Sequence, residues 1–163
     1  MAGLGRIGEN GLLLTERYSS YVFLGEIVTD AVLEAPAHTA TRCIACGACQ
    51  RACPARQTGK ECLSALTQRK GSFADDEVAY LCQNGSAWGC DRCQEVCPVT
   101  VQAKKAGTLY STLPFFTKTA ISHLTADTVR EMSNEDFAAR AYSWRGRNTI
   151  LRNLEILEKE GEL

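Results

Sequence analysis

The chain has 163 residues, of which 45% are hydrophobic, and its formal net charge is −1. That length accommodates one compact domain but not two ordinary ones. The near-zero charge argues against a strong general attraction to nucleic acid and leaves only local basic patches open. No stretch approaches the roughly 18 apolar residues of a membrane span, so no membrane partner is expected.

The first predicted segment, residues 1–41, combines a glycine-rich start with two short apolar runs. These runs, 12–14 and 21–28, flank the turn-like sequence TERYSS, and the pattern predicts a small β-hairpin. The opening sequence MAGLGRIGENGLLL lacks the charged and apolar regions of a secretory signal peptide. We therefore expect a cytoplasmic chain, in which closely spaced cysteines are more often metal ligands than disulfides.

The rest of the chain divides into a cysteine-rich segment, residues 42–100, and a helical segment, residues 101–163. All nine cysteines lie in the cysteine-rich segment, which we expect to be held together more by metal than by apolar burial. In the helical segment, Ser133 followed by Asp136 is a capping-box pattern that predicts a helix start. A final helix is predicted by four apolar residues that share one face: Ile150, Leu151, Leu154 and Leu157.

The first cysteine run, RCIACGACQRACP, has the complete spacing C-x₂-C-x₂-C-x₃-C-P of bacterial-type ferredoxins. Its four cysteines are Cys43, Cys46, Cys49 and Cys53. Three cysteines at intervals of three can wrap a tight loop around one face of a [4Fe–4S] cluster. The fourth, at the start of a short helix, then reaches a second cluster. The predicted fold is therefore α+β, with a hairpin region, a ferredoxin-like domain for two clusters, and C-terminal helices.

The second cysteine run, GCDRCQEVCP, is in register with the same motif but lacks its first cysteine. The position of that cysteine is occupied by Ala87, and the run supplies Cys90, Cys93 and Cys97. In two-cluster ferredoxins the last cysteine of each run binds the other run's cluster. Cys97 is therefore predicted to join the first three cysteines of the first run, and Cys53 to join Cys90 and Cys93.

One further ligand is needed, because two four-iron clusters take eight thiolates and the two runs supply seven. The composition leaves Cys62 and Cys82 as alternatives and does not choose between them. A zinc site is a different reading of the C-x₂-C pairs, with four ligands from Cys43, Cys46, Cys90 and Cys93. Zinc would leave the other cysteines and the proline after each run unexplained.

The remaining motifs are weaker. Four arginines, at 140, 145, 147 and 152, cluster near the end of the chain. Both a solvated helix face and contact with phosphate are compatible with them. No Ser/His/Asp set and no paired carboxylates stand out, so no catalytic residue is predicted in this chain.

Taken in order, these segments resemble the C-terminal half of the epoxyqueuosine reductase family, cobalamin-dependent enzymes of tRNA queuosine synthesis. AGLGRIGENGLLL is similar to the family's AGLGWIGKN-type segment, and SSYVFLGEIVTD is similar to its FLGEI-x-TD strand. CIACGACQRACP, GCDRCQEVCP and RGRNTILRNLEI are similar to the family segments that follow in the same order. The resemblance covers most of the chain.

The resemblance also implies the eighth ligand. The family takes it from the start of a helix between the two cysteine runs, where KECLSAL places Cys62. Cys82 falls where the family has an apolar residue, and so is left as a buried or spare thiol. The implied first cluster is held by Cys43, Cys46, Cys49 and Cys97, and the implied second cluster by Cys53, Cys62, Cys90 and Cys93.

The chemistry that the resemblance implies is reduction of an epoxide. Electrons pass from a donor through the clusters to cobalamin, whose reduced cobalt attacks the epoxide carbon of epoxyqueuosine in tRNA. A carboxylic acid protonates the oxygen, and loss of water gives the alkene. The glycine-rich start would lie near the corrin, where glycine permits close approach; its implied cobalamin-proximal residues are Gly3, Gly5, Arg6 and Gly8.

Three departures from the family pattern limit that implication. The N-terminal domain that supplies much of the cobalamin pocket and the acid is not part of this sequence, so we expect no epoxyqueuosine reduction without it or a partner chain. Arg6 and Glu9 replace a tryptophan and a lysine, and the spacer between Cys53 and Cys62 is short.

The chain is expected to be a fragment of the enzyme or a free-standing piece of it. The alternative is a ferredoxin-type carrier without cobalamin or tRNA activity.

Overall fold

The computed structural model describes residues 3–34 and 43–161. Strand β1, Arg6–Ile7, pairs antiparallel with β2, Leu13–Leu14. The helices of the described ranges are α1 (Ala48–Ala52), α2 (Pro54–Thr58), α3 (Leu63–Gln68), α4 (Asp75–Asn84), α5 (Arg92–Glu95), α6 (Pro98–Lys105), α7 (Pro114–Lys118), α8 (Ala126–Glu131), α9 (Asn134–Ala138) and α10 (Arg147–Lys159). This arrangement confirms the predicted α+β class. None of these helices is both long and apolar enough to cross a membrane.

The β-hairpin is present, but its pairing differs from the prediction. The run 12–14 contains β2, whereas the run 21–28 has no regular secondary structure and does not pair with it. The partner of β2 is β1, because a tight turn between them returns the chain: the Gly8 amide donates to the Leu12 carbonyl at 2.8 Å. Gly11 adopts φ +79° in that turn, a conformation that glycine reaches without steric cost. The predicted pairing of 12–14 with 21–28 was therefore wrong.

The described residues form two compact units, although the length predicted one domain. The first unit contains residues 3–34, 43–53 and 91–113, and the second contains residues 54–90 and 114–161. The predicted boundary at residue 41 lies outside the described residues. The division into three sequence segments stays a prediction.

The first unit has little apolar interior. Among its described residues, the fully buried apolar side chains are Leu14 and Ala103. Polar contacts connect distant parts of the unit instead. The hydroxyls of Ser19 and Thr100, both buried, lie 2.7 Å apart in a hydrogen bond, and helix α1 packs against α5. Apolar burial therefore contributes little to the stability of this unit.

The second unit has an apolar core to which α10 contributes most. One cluster of buried side chains joins α10 to α3 and α4, and it consists of Leu63, Leu66, Tyr80, Leu81 and Leu157. A second cluster joins α10 to α8 and α9, and it consists of Ala126, Val129, Phe137, Ile150 and Leu154. The predicted apolar face of the last helix is confirmed, because three of its four residues are buried and Leu151 packs at the edge.

The predicted helix start at Ser133 is confirmed at α9, although the Asp136 carboxylate accepts from the Ser133 hydroxyl at 2.7 Å and not from its backbone N–H. The Ser133 hydroxyl accepts a hydrogen bond from the backbone N–H of Asp136 at 3.0 Å. This bond satisfies one of the amide groups that a helix leaves without a partner in its first turn.

A single buried amide connects α10 to two other segments of the second unit. Asn153 is fully buried, and its Nδ2 donates to the carbonyls of Thr67 at 2.7 Å and Ala87 at 2.8 Å. Its Oδ1 accepts from the Arg152 guanidinium. The bond to the Thr67 carbonyl is buried and the others are partly buried, so their loss would leave polar groups without partners in a largely dry environment.

We expect Asn153→Ala to lower the free energy of unfolding by about 1–3 kcal/mol, because the carbonyls of Thr67 and Ala87 would lose their donor. Chemical denaturation followed by far-ultraviolet circular dichroism measures this loss. Asn148→Ala, an exposed position on the same helix, is the matched control. An equal loss in both variants would contradict the structural role of Asn153.

Candidate metal centre

The first cysteine run forms a tight loop followed by a short helix. Ala45 and Gly47 both adopt left-handed backbone conformations, with φ of 51° and 67°. Gly47 is the residue that precedes α1, and a Cβ there would lie 3.0 Å from the Arg51 guanidinium. That guanidinium donates to the Cys46 carbonyl at 3.1 Å. The run therefore curls as the cysteine spacing predicts, and the two left-handed residues make the loop compact.

Cys97 comes to the same place from a distant part of the sequence. Its amide donates to the Gln94 carbonyl at 3.1 Å as α5 ends. Cys97 is also the residue before α6, with Pro98 at the first helical position, where a missing N–H costs no hydrogen bond. Because α1 packs against α5, the end of α5 brings Cys97 to the loop of the first run.

One cavity of the first unit is lined by all four cysteines predicted for the first cluster: Cys43, Cys46, Cys49 and Cys97. Leu14, Ile44 and Val99 supply apolar side chains to the same lining. None of the four cysteines is in a disulfide. Four thiols around one largely apolar cavity form a donor set of the kind that iron–sulfur clusters take. Within 3–34 and 43–161, no three His, Cys, Asp or Glu residues are placed to hold a single metal ion.

The protonation of Cys49 depends on its surroundings in this cavity. Burial raises the pKa of the Cys49 thiol, the backbone N–H of Gln50 opposes that shift, and the Glu9 carboxylate raises it further. Thiolate is the form that binds metal. Iron binding at this position would therefore be coupled to loss of the thiol proton.

The N-terminal hairpin forms one wall of the cysteine cavity, which the sequence did not predict. Gly8, Glu9 and Asn10 line it, and the Gln50 side chain donates to the Glu9 carbonyl at 2.8 Å. The only sequence signal was the row of glycines, which we interpreted as space for cobalamin.

The hairpin itself requires two of these glycines. A Cβ at Gly5 would lie 2.1 Å from the Leu14 carbonyl oxygen, and one at Gly8 would lie 2.8 Å from the Asn10 side chain. Gly3, with φ 66°, and the exposed Arg6 belong to the same segment. The assignment of Gly3, Gly5, Arg6 and Gly8 to cobalamin stays a prediction.

The four cysteines predicted for the second cluster lie at the end of a helix, within a helix, or in the segment that leads into one. Cys53 ends α1 and directly precedes α2, and α3 begins immediately after Cys62, as the sequence LSAL predicted. Cys90 lies shortly before α5, which contains Cys93. Cys53 and Cys93 belong to the first unit, and Cys62 and Cys90 to the second. Their assignment to one cluster stays a prediction.

Cys82 and Ala87, the two positions that break the ferredoxin pattern, both pack in the second unit. Cys82 lies on α4, partly buried against the cluster that contains Leu63 and Leu157. Ala87 packs against both apolar clusters of that unit. The residue that stands in the slot of the missing cysteine is therefore part of a packed core.

Comparison with known proteins agrees with this chemistry. The 4Fe-4S binding domain family matches residues 37–56, which contain the first cysteine run. The chain binds an iron–sulfur cluster of this type.

Curated relatives extend the similarity to nearly the whole chain. Epoxyqueuosine reductase from Listeria monocytogenes is 32% identical over 96% of this chain and 42% of its own length. The enzyme of the same name from Bacillus subtilis is 34% identical over 93% of this chain and 41% of its own length. This chain is homologous to epoxyqueuosine reductase. It spans less than half the length of these relatives.

Solved structures of epoxyqueuosine reductase also resemble this fold. The Streptococcus thermophilus enzyme has a TM-score of 0.72 at 29% identity, over 95% of this chain and 42% of its own. A crystal structure of epoxyqueuosine reductase with an epoxyqueuosine-modified tRNA-Tyr stem loop has a TM-score of 0.73 at 28% identity, over 95% and 43% of the two chains.

We expect Cys97→Ser and Cys46→Ser to remove the same cluster. Each single variant should lose about four irons, and the double variant should lose no more than either one, because both thiols line one cavity. Iron and acid-labile sulfide per chain are measured after anaerobic purification. Val96→Ser, which changes the exposed neighbour of Cys97, is the control. Additive losses would contradict a shared cluster.

Proposed function

We propose that this chain holds two [4Fe–4S] clusters and carries electrons in the reduction of epoxyqueuosine in tRNA, as the cluster-bearing part of an epoxyqueuosine-reductase-type enzyme. The observation that carries the proposal is the cavity lined by cysteines from two distant runs. It stands in a chain whose relatives over more than nine-tenths of its length are epoxyqueuosine reductases.

In the proposed first centre, Cys43, Cys46, Cys49 and Cys97 would be the ligands. A bound cluster supplies one-electron transfer at this place. Leu14, Ile44 and Val99 give the cavity an apolar lining, and an apolar surrounding favours the less charged state of a redox centre. The bond from Gln50 to the Glu9 carbonyl holds the hairpin wall against α1.

In the proposed second centre, Cys53, Cys62, Cys90 and Cys93 would be the ligands. Support comes from the crossover spacing of the two runs and from the start of α3 immediately after Cys62, the position that the family resemblance implies. Cys82 is the alternative eighth ligand; it packs against the same apolar cluster as Cys90, so the choice of Cys62 rests on the family resemblance.

The substrate and further cofactor are proposed by similarity to the relatives. One relative's structure is described with an epoxyqueuosine-modified tRNA stem loop, so tRNA is the proposed substrate. Cobalamin is proposed to bind near Gly3, Gly5, Arg6 and Gly8, with the resemblance as the support. The acid and the rest of the pocket would come from the portion of the relatives that this chain does not span, and an electron donor would reduce the clusters. A reducing, cytoplasmic location is proposed because it preserves free thiols for cluster assembly.

The proposal is tested first by metal content. Anaerobic purification followed by assays of iron, sulfide and zinc should give about eight irons per chain, the content of two four-iron clusters. Zinc without sulfide would contradict the redox function. Titration with cobalamin then separates a reductase component, whose spectrum should respond, from a ferredoxin-type carrier, whose spectrum should not.

We expect Cys62→Ser to lose one cluster and Cys82→Ser to retain both. The reason is that Cys62 directly precedes α3, the position from which the family resemblance implies the eighth ligand, whereas Cys82 falls where the family has an apolar residue. Iron per chain and the visible absorbance of the cluster distinguish the two variants, which serve as each other's control. Loss of iron in Cys82→Ser alone would show that the eighth ligand was assigned wrongly.

Removal of iron should affect the first unit more than the second. The first unit has few buried apolar side chains to hold its fold, whereas the second has two clusters of buried apolar side chains around α10. After anaerobic chelation, hydrogen exchange should show lost protection in α1 and α6 and retained protection in α3 and α10. Reconstitution with iron and sulfide is the control and should restore protection. Equal loss of protection in all four helices would contradict this dependence.

A further inference from the structure

The second unit contains an open cavity of about 750 Å³ with a strongly basic lining. Four cationic side chains contribute to it: Lys70, Arg145, Arg147 and Arg152. No aspartate or glutamate lines the cavity. The formal net charge of the whole chain is −1. The positive charge of the cavity is therefore a local feature that the overall composition does not indicate.

Two of the arginines are fixed in place by neutral groups. The Arg152 guanidinium donates to the carbonyls of Arg69 at 2.8 Å and of Gly71, and it lies over the Phe73 ring at 3.7 Å. The Arg147 guanidinium donates to the Val129 carbonyl. Carbonyls orient a guanidinium without neutralising it, and neither arginine has an ion pair with a described carboxylate. Both guanidinium groups are therefore held in a defined position without a carboxylate in direct contact, although the more distant Glu77 carboxylate attracts Arg152.

The other two cations have donors that the described residues leave unused. Lys70 is exposed and makes no hydrogen bond or ion pair with a described residue. The Arg145 guanidinium lies over the Trp144 ring at 4.0 Å, and its buried Nε has no partner among the described residues. These groups can each donate to an anion that enters the cavity.

The surroundings of the cavity add to its affinity for an anion. Helix α10 begins there after Gly146, with no side chain capping it, so its first amides and the positive end of its dipole are available. Burial lowers the pKa of Arg152, and repulsion from Arg69 acts in the same direction. A bound anion would relieve that repulsion.

We propose that this basic cavity binds backbone phosphates of an RNA stem. The inference rests on the proposed tRNA substrate and adds a site for it within this chain. Arginine forks and a lysine are the side chains that contact nucleic-acid phosphates. The cavity is open and its four cations are spread around it, which suits successive phosphates better than one small ion. Trp144, with 61% of its surface exposed beside Arg145, offers a ring on which an RNA base can stack.

The test measures binding of a fluorescent RNA stem-loop to the iron-loaded full chain across salt concentrations. Lys70→Ala combined with Arg145→Ala should weaken binding at least about tenfold and reduce the salt slope by about two, one for each lost phosphate contact. Lys118→Ala, an exposed cation outside the cavity, should leave both quantities unchanged. Unchanged affinity and slope in the double variant would overturn the proposal.

Two further measurements separate this inference from its alternatives. In the first, inorganic phosphate is added at a concentration equal to that of the phosphate groups in the RNA. Displacement of the RNA under this condition would overturn the proposal in favour of a site for a single phosphate. Lys70→Glu, at a position with an exposed side chain, provides a variant whose folding is undisturbed and should weaken binding further than Lys118→Glu. Iron content is measured on every sample. RNA binding that depends on these residues in a chain without clusters would support the site while contradicting the proposed electron transfer.

Discussion

In the proposed first centre, bonds between cysteine sulfur and iron would stabilise the first unit as apolar burial stabilises the second. Among the described residues, two apolar side chains are fully buried in the first unit and ten in the second. The first unit's elements are short, and helices of five or fewer residues such as α1 and α5 have little stability of their own. The cysteine cavity is therefore the proposed redox site and, with a cluster bound, would also be the main support of that unit's fold.

The departure from the ferredoxin pattern has a physical basis in the second unit. Ala87, where a cysteine would complete the second run, packs against both apolar clusters, and its carbonyl is held by Asn153. Cys62 begins a helix whose Leu63 and Leu66 enter the same core. The proposed eighth ligand thus comes from a segment whose position is fixed by apolar packing.

Sequence reasoning succeeded where a local rule determines the structure. Three features that depend on neighbouring residues could be predicted from the sequence. They are the curl of the first cysteine run, the helix cap at Ser133 and the buried face of α10. The partner of β2 could not be predicted in this way. The glycine turn after β1 determines which strand pairs with β2, and the apolar character of residues 21–28 does not. Nor did the sequence reveal that Arg147 and Arg152 bind carbonyls of distant segments. Such contacts depend on tertiary structure, for which a single sequence offers no local signal.

The interleaving of the two units has a consequence for synthesis on the ribosome. Cys43, Cys46 and Cys49 leave the ribosome well before Cys97, and residues 54–90 separate the parts of the first unit. The second unit in turn needs α10, near the far end of the described chain, to complete its core. Neither unit can finish folding while the chain is short. The thiols of Cys43, Cys46 and Cys49 therefore wait for their proposed fourth partner until Cys97 has been translated, and the proposed first cluster can be completed only after that point.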